Sequence, residues 1–323
     1  MRIEIIVGLP VAFGLGVVLM PGYIRLLNRF GFGKQIREEG PESHQVKSGT
    51  PTMGGFLMIL VVLVVFPIIG KLNAATYAPL AALGLVGALG AVDDYLNAKT
   101  GTGVNVRGKL VWQTAVAVGA AIQLRETYNF TGFEVPFIGA VNVPPIVWIA
   151  IAAFAIVAMS NGVNLTDGLD GLAGGTLVFA YLGYMIIALT NTPNQQQLAL
   201  LCAIIIGAVL GFLWFNVHPA QIFMGDSGSL ALGATLAVTA LITGQVAILP
   251  LIGIIFVVET LSVVLQVGSF KLRHGKRIFR MSPIHHHFEL AGWNEEKVTL
   301  RFWIVGALAS LLGVTFFMST VGK

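Results

Sequence analysis

Residues 197–216 read QLALLCAIIIGAVLGFLWFN and contain no charged side chain. A run of about 20 apolar residues can cross the hydrocarbon core of a bilayer as a helix. The whole chain has the same character, because 56% of its 323 residues are hydrophobic and only 11% are charged. Soluble domains carry about 25% charged residues. The composition therefore favours a membrane protein.

Ten apolar runs have a suitable length, and unpaired backbone amides are too costly in hydrocarbon, so the runs must be helices. We predict an all-α, polytopic membrane protein, formed as a single transmembrane domain over residues 1–323. Segment 128–144 is too rich in proline, glycine and β-formers to span, so we expect a short external β-like loop there. The predicted spans are 3–24, 54–70, 76–95, 109–125, 145–161, 169–189, 197–216, 227–243, 247–267 and 299–320.

The basic residues indicate how the spans are oriented. With the N-terminus outside, the inner loops and the adjoining Lys109 and Arg301 hold 15 of the 19 lysines and arginines. Cytoplasmic loops carry such an excess, so we expect both termini outside. The first apolar run begins almost at once, with no basic region before it beyond Arg2, and four basic residues follow it, which is typical of a retained span. The predicted cytoplasmic loops are 25–53, 96–108, 162–168, 217–226 and 268–298.

Most chemically interesting polar residues fall in the same inner loops. The outer connections carry little beyond Glu126, Glu134 and an Asn/Gln-rich link at 191–197. A passive structural protein has no reason to gather its carboxylates on one face, so this division favours one cytoplasmic active site. The net charge of +4 is not distributed as in a nucleic-acid-binding protein, and no nucleic-acid partner is expected.

Asp93 and Asp94 are expected at the end of the third span. Adjacent carboxylates about 4–5 Å apart repel each other by roughly 3–4 kcal/mol at an effective dielectric near 20. The negative end of the helix dipole adds to this cost. Both groups stay ionised only beside a cation or a hydrogen-bond partner. A base or metal-linked pair is therefore predicted, with an ordinary solvated helix end as the alternative.

The connections around the sixth and eighth spans carry further polar groups. Asp167 suits an N-cap of span six, and Asp226, three residues before Ser229, suits an N-cap of span eight. Gly225 and Gly228 allow a ligand to approach the backbone closely. The positive helix N-termini favour phosphate there. Four polar residues that recur every three positions are predicted to share one edge of a helical path: Asn161, Asn164, Asp167 and Asp170.

The loop 268–298 combines a basic first half with His285, His286 and His287. Its basic half could lie on the anionic surface of the inner leaflet. Consecutive side chains point in different directions, so one metal bound by all three histidines is not expected. The preferred hypothesis is that one histidine reaches the site, where it donates a hydrogen bond to phosphate or carries a proton. A surface cluster is the alternative. Glu259 lies within span nine, where a carboxylate costs about 2.5–3.5 kcal/mol, so it should be paired or protonated and structural.

Together these stretches resemble the phospho-N-acetylmuramoyl-pentapeptide transferases of the polyprenyl-phosphate N-acetylhexosamine-1-phosphate transferase superfamily. The histidine stretch in particular favours the muramoyl-pentapeptide branch. The matching stretches occur in the family's order and are KSGTPTMGG (47–55), Asp93–Asp94, NGVNLTDGLDGLAGG (161–175), FNVHPAQIFMGDSGSLALG (215–233) and PIHHHFE (283–289).

The resemblance implies a reaction of peptidoglycan synthesis. Undecaprenyl phosphate would attack the β-phosphate of UDP-N-acetylmuramoyl-pentapeptide, giving lipid I and UMP with Mg²⁺, and direct attack in one step is favoured. It also implies a multi-pass protein of the bacterial cytoplasmic membrane and a homodimer.

The resemblance further implies residue roles. Asp226 would bind Mg²⁺, with Asp93 and Asp94 as further candidate ligands. Asp93 or Asp94 would deprotonate or orient the lipid phosphate. His285 would steady the diphosphate, and Lys109 would supply positive charge. The expected substrate-binding residues are Lys47 as a positive charge, Phe223 stacked on uracil, Asp170 and Asn216 at the nucleoside, and Thr52, Asn161, Asn164, Asp167, His286 and His287 nearby.

Two rivals stay open at this point. A sister enzyme would use UDP-N-acetylglucosamine as the donor. A transporter would also have many spans, but its binding groups should lie near mid-membrane. Here Glu259 alone lies deep in a predicted span.

Overall fold

The computed structural model describes residues 3–33 and 49–321. Within these ranges the chain is mostly helical, with one small antiparallel sheet. The elements in chain order are α1 (Ile3–Arg29), α2 (Gly54–Ile69), α3 (Ala74–Thr100), α4 (Val106–Tyr128), β1 (Gly132–Val135), β2 (Gly139–Asn142), α5 (Pro145–Thr166), α6 (Leu172–Thr190), α7 (Gln196–Asn216), α8 (Gly225–Ile242), α9 (Leu249–Ile252), α10 (Ile254–Leu272), α11 (Ile284–Glu289) and α12 (Glu295–Val321).

The prediction of a polytopic helical protein is confirmed. Eight helices in the described ranges are long and apolar enough to cross a membrane, namely α1, α3, α5, α6, α7, α8, α10 and α12. The second predicted span forms α2, which is apolar but only 16 residues long. The fourth forms α4, a helix of 23 residues that carries Arg107, Lys109 and Arg125. Each of the ten predicted spans therefore corresponds to a helical segment in the described ranges, but only eight of these segments are long and apolar enough to cross a membrane.

The ninth predicted span is wrong as a single helix over 247–267. The chain instead forms a 3₁₀ turn at Val246–Ile248, the one-turn helix α9, and then α10. Gly253 separates the two helices, and its amide closes α9 by donating to the carbonyl of Leu249. Glycine is a poor helix former, and Pro250 provides no amide hydrogen to a preceding turn. Hydrophobicity alone did not reveal this break.

Several predicted loops are shorter than expected, because the helices continue beyond the apolar runs. Residues 162–166 belong to α5, so Asn164 projects from a helix and not from a loop. The α3 helix extends to Thr100, where Gly101 ends it with a φ of 72°. Glycine adopts this left-handed conformation without a steric penalty. The connection from α3 to α4 is thus confined to residues 101–105.

The β-like loop predicted at 128–144 is confirmed as a two-stranded hairpin of β1 and β2. It packs on the start of α5, where the ring of Phe133 stacks on Trp148 at a centroid distance of 5.6 Å. The indole nitrogen of Trp148 also donates to the carbonyl of Gly132 at 3.0 Å. The hairpin therefore lies at the end of α5 opposite to Asn161 and Asn164.

Helix α8 is the centre of the bundle. Residues 227–242 are all buried, and α2, α3, α5 and α6 pack around them. Glycines make the closest crossings possible. A Cβ atom on Gly55 would lie 2.1 Å from the Cα of Gly228, and one on Gly90 would lie 2.3 Å from the carbonyl oxygen of Asp226. These crossings bring the start of α8 against α2 and α3.

We expect Gly55→Ala to destabilise the protein, since the added methyl group meets backbone atoms of α8 that cannot rotate away. Overpacking of this kind costs about 1–3 kcal/mol. Gly119→Ala is the matched control, because it lies in α4 with no atom within 4 Å of the added Cβ. Thermal unfolding in detergent should show a lower Tm for Gly55→Ala only. An equal Tm for the two variants would contradict the close crossing.

Candidate active site

The carboxylates of Asp93 and Asp226 share one cation, the ammonium group of Lys109. Its Nζ atom lies 2.8 Å from Asp93 Oδ2 and 2.7 Å from Asp226 Oδ2. The other oxygen of Asp93 accepts a hydrogen bond from the amide of Val104 at 2.6 Å. Three helices, α3, α4 and α8, contribute to this group. Sequence reasoning required a cation beside the aspartates, and Lys109 fills that position.

Asp94 holds the N-terminus of α8. Its two carboxylate oxygens accept hydrogen bonds from the amides of Asp226 and Ser227, both at 3.0 Å. Asp93 and Asp94 are 4% and 5% exposed and precede the end of α3 by several residues. The alternative of a solvated helix end is therefore wrong, because the helix continues and packs against α8. The carboxylate at the N-terminus of α8 is that of Asp94 in α3, so the predicted N-cap at Asp226 is wrong as well.

Asn164 fixes the other side of Asp226. Its amide nitrogen donates to Asp226 Oδ1 at 2.8 Å and to the hydroxyl of Ser229 at 2.9 Å. Both oxygens of Asp226 therefore have a partner, one neutral and one cationic. Asn161 lies one turn earlier and donates instead to the side chain of Gln113 at 2.8 Å. It connects α5 to α4 and has no contact with the aspartates.

A cavity of about 230 Å³ opens beside these groups. It contains five predicted site residues, and its wall also includes Asn97, which sequence reasoning missed. The spacing of three residues from Asp94 along α3 is the signal that could have identified Asn97. The cavity is lined by Gly33, Thr52, Asp94, Asn97, Ala98, Asn164, Asp167, Gly225 and Asp226.

Asp167 ends α5 and does not cap α6. The N-cap of α6 is Gly171, which has a φ of 76° and no side chain to donate or accept. The prediction of an N-cap at Asp167 is therefore wrong, since a turn of the chain separates Asp167 from the first residue of α6. Asp167 lines the same cavity as Asp94 and Asp226.

Asp170 belongs to a second cluster, so the predicted edge of four aligned residues is wrong. Its Oδ2 atom lies 2.9 Å from His218 Nδ1 and accepts from the amide of Ala220 at 3.1 Å. Its own amide donates to the carboxylate of Glu295 at 2.6 Å. The alignment ends because α5 ends at Thr166 and the chain turns before α6. This cluster ties the loops after α5 and α7 to the start of α12.

Asn216 and Phe223 shape the loop between α7 and α8. Asn216 is buried, accepts from the amide of Gly171 at 3.0 Å and donates to the carbonyl of Ile222 at 2.8 Å. The amide of Phe223 donates to Pro51, and its carbonyl accepts from Gly54, both at 2.8 Å. The backbone of Phe223 thus joins the start of α2 to the start of α8. Nucleoside contacts by Phe223 and Asn216 stay predictions.

The three histidines have three different partners. His285 Nδ1 lies 3.1 Å from Glu259 Oε1, and His286 Nδ1 lies 2.7 Å from Glu289 Oε2. His287 Nδ1 accepts from the amide of Arg280 at 3.1 Å. His285 is fully buried, so the alternative of a surface cluster is wrong for this residue. The prediction that Glu259 faces the bundle is confirmed, since it is fully buried, and its contact with His285 is one that sequence reasoning had not identified.

Nine predicted site residues in the described part of the chain are not among the residues that line the cavity, namely Asp93, Lys109, Asn161, Asp170, Asn216, Phe223, His285, His286 and His287. His285 is absent from its lining and lies behind the loop that follows α5. Lys47 falls within residues 34–48, outside the described part of the chain.

The chain matches a known protein family. Residues 76–244 match the family model of glycosyl transferase family 4. The chain belongs to this family. The matched region of the glycosyl transferase contains Asp93, Asp94, Lys109 and Asp226, whereas Thr52 and the three histidines lie outside it.

Close relatives of this family 4 glycosyl transferase match almost the whole chain. A phospho-N-acetylmuramoyl-pentapeptide-transferase of Geobacillus thermodenitrificans is 43% identical over 318 residues, covering 96% of this chain and 97% of the relative. Proteins of the same name from Desulfosudis oleivorans and Desulfotalea psychrophila are 44% and 45% identical, covering 94% of this chain and 90% and 89% of the relatives. The resemblance predicted from the motifs is therefore confirmed.

Proposed function

We propose that this family 4 glycosyl transferase moves phospho-N-acetylmuramoyl-pentapeptide from its UDP derivative to undecaprenyl phosphate and releases UMP. The observation that carries the proposal is the group of Asp93, Asp94, Asp226 and Lys109 beside one cavity. The relatives of the same name, 43–45% identical over nearly the full length, support the choice of donor.

The proposed reaction is a one-step displacement at phosphorus. An oxygen of the lipid phosphate forms a bond to the β-phosphorus of the donor. The bond from that phosphorus to the oxygen bridging the two phosphates breaks, and UMP leaves with the electron pair. The charge that builds up on the phosphate oxygens needs nearby cations. Lys109 provides one, held in place by the two carboxylates that it contacts.

The residues fit a magnesium ion by the chemistry of their donors. Carboxylate oxygens of Asp93, Asp94 and Asp226 lie within 4.8 Å of one another, and such oxygens are the ligands that Mg²⁺ prefers. Asp226 is the proposed main ligand, with Asp93 as a second. The partners of Asp226 are side chains, whereas both oxygens of Asp94 accept backbone amides of α8, so we assign Asp94 to holding α8. A bound Mg²⁺ would neutralise phosphate charge during the displacement.

Asn164 and Lys109 hold the carboxylates of Asp226 and Asp93 in a fixed orientation. Asn164 holds Asp226 Oδ1, and Lys109 bridges Asp226 and Asp93, so neither carboxylate can rotate freely. We propose that Asp93 orients or deprotonates the lipid phosphate. The assignments of Thr52, Asp167 and Phe223 to the donor, of His285 to its diphosphate, and of His286 and His287 to substrate binding remain part of the proposal.

An apolar groove of about 500 Å³ offers a path for the lipid chain. It runs along α5 from Ile151 to Gly162 and is closed on the other side by Phe256 and Leu261 of α10. Its lining is almost wholly apolar, and Gly162 lies less than one turn from Asn164. A hydrocarbon chain in this groove would bring its phosphate toward the carboxylates. We further propose that this end of the bundle faces the cytoplasm of a bacterial inner membrane and that the protein is a homodimer.

We expect the detergent-purified full chain to release UMP only when UDP-N-acetylmuramoyl-pentapeptide, undecaprenyl phosphate and Mg²⁺ are all present. A coupled UMP assay measures this directly, with EDTA as the metal-free arm. UDP-N-acetylglucosamine is the second donor to test. Turnover of that donor alone would favour the sister enzyme. Nucleotide-dependent transport in vesicles without UMP release would favour a transporter and overturn the proposal.

A further inference from the structure

A buried carboxylate–imidazole pair lies behind the loop between α5 and α6. Glu259 of α10 and His285 of α11 are both fully buried, with Oε1 and Nδ1 3.1 Å apart. Over residues 3–33 and 49–321, no hydrogen bond satisfies either oxygen of Glu259 or either ring nitrogen of His285. The carboxylate and the imidazole therefore contact each other, and neither lines the cavity with the aspartates.

Stability alone is a poor explanation of this pair. A carboxylate within a bilayer-spanning helix is costly to bury, and a buried ion pair seldom repays its desolvation. Two apolar side chains of similar volume would fill the same space without that cost. The pair therefore points to a role in the site that it adjoins.

The free edge of the imidazole faces the loop. A Cβ atom on Gly168 would lie 2.3 Å from His285 Nε2 and 2.8 Å from Cε1. Gly168 does not have a positive φ, so its backbone conformation is open to any residue. The ring of His285 is thus what limits position 168 to glycine. Because Gly168 follows Asp167 directly, the position of the ring sets the position of a carboxylate in the cavity wall.

We infer that Glu259 is a positioning residue of the transferase, acting through His285 on the loop 167–171. A carboxylate beside one ring nitrogen favours one orientation of the ring. Here it keeps Nδ1 toward α10 and Nε2 toward the backbone at Gly168. Since the loop carries Asp167, the pair serves the binding of the nucleotide donor. This inference rests on the proposed function, because donor turnover is its readout.

Glu259→Gln tests the charge with little change of shape. We expect the KM for UDP-N-acetylmuramoyl-pentapeptide to rise roughly 10-fold or more, the range seen when an outer partner of a site histidine is lost. The KM for undecaprenyl phosphate should stay unchanged. A merely structural defect would lower the amount of active enzyme, and hence the apparent kcat, without moving either KM.

Ser262→Ala is the matched control. Ser262 is buried in the same helix, and its hydroxyl donates to the backbone carbonyl of Glu259 at 2.7 Å, so the variant removes a buried polar group beside Glu259 and leaves the carboxylate of Glu259 and the ring of His285 unchanged. Its KM for the donor should equal that of the wild type. In a chain that already carries His285→Asn, Glu259→Gln should raise the donor KM no further, because coupled residues are not additive.

An unchanged donor KM in Glu259→Gln, or additive effects in the double variant, would overturn the inference. If Glu259→Gln does not fold, Gly168→Ala examines the same contact from the loop side and should raise the same KM; an unchanged KM would again overturn it. A wild-type protein that turns over no donor would instead remove the proposed function, so the two failures are distinguishable.

Discussion

Asp226→Asn is expected to lower kcat for UMP release by roughly 10²–10³-fold, the loss typical of removing one charge-stabilising group from an active site. The amide has the shape of the carboxylate and can still meet the side chain of Asn164 through its oxygen. Its nitrogen would face the ammonium of Lys109, where the carboxylate oxygen now lies at 2.7 Å. The variant therefore loses the ion pair and the proposed main ligand for Mg²⁺ in one step.

Glu126→Gln is the control for this loss, because it removes an exposed carboxylate near the end of α4 and far from Asp226 in the chain. Steady-state UMP release measured over a range of Mg²⁺ concentrations separates two effects. A larger Mg²⁺ requirement in Asp226→Asn would support its role as a ligand. A rate within about 10-fold of the wild type, with the same Mg²⁺ dependence, would argue against it and move the metal to Asp93 and Asp94.

The sequence could predict which segments form long apolar helices, because runs of about 20 apolar residues report them directly. It could not predict where a helix breaks within such a run. Gly253 and Pro250 lie inside the ninth run, and their effect depends on the backbone hydrogen bonds that form around them. Helix ends were likewise underestimated, since polar residues such as Asn161 and Asn164 are tolerated in a helix that packs on polar partners.

The site residues were predictable as a set, but their partners were not. Asp93, Asp94 and Asp226 carry the chemistry that sequence motifs reveal. The pairing of Asp94 with the backbone of α8 depends on the close crossing at Gly90, which no residue spacing encodes. Asp170 shows the same limit, because a period of three predicts a shared edge only while the helix continues. Asp170 lies beside His218 because the chain changes direction where α5 ends.

Asp94→Asn is expected to lower both stability and activity, whereas Asp93→Asn should mainly lower activity. In Asp94→Asn, one amide of α8 would meet an NH₂ group in place of an oxygen. A hydrogen bond to a charged group contributes about 1.5–3 kcal/mol, and the charge at a helix N-terminus adds about 0.3–1 kcal/mol. In Asp93→Asn the bond from Val104 can persist, and Lys109 keeps Asp226 as a partner.

Thermal unfolding in detergent, beside UMP release assayed well below the lower Tm, separates these two aspartates. We expect a clear drop in Tm for Asp94→Asn, a smaller one for Asp93→Asn, and strongly reduced turnover in both folded proteins. This order follows from geometry, because Asp94 meets two backbone amides of the central helix while Asp93 meets one loop amide and a partly exposed lysine. Equal Tm values would mean that the start of α8 is held by its packing against α2 and α3, and not by the carboxylate of Asp94.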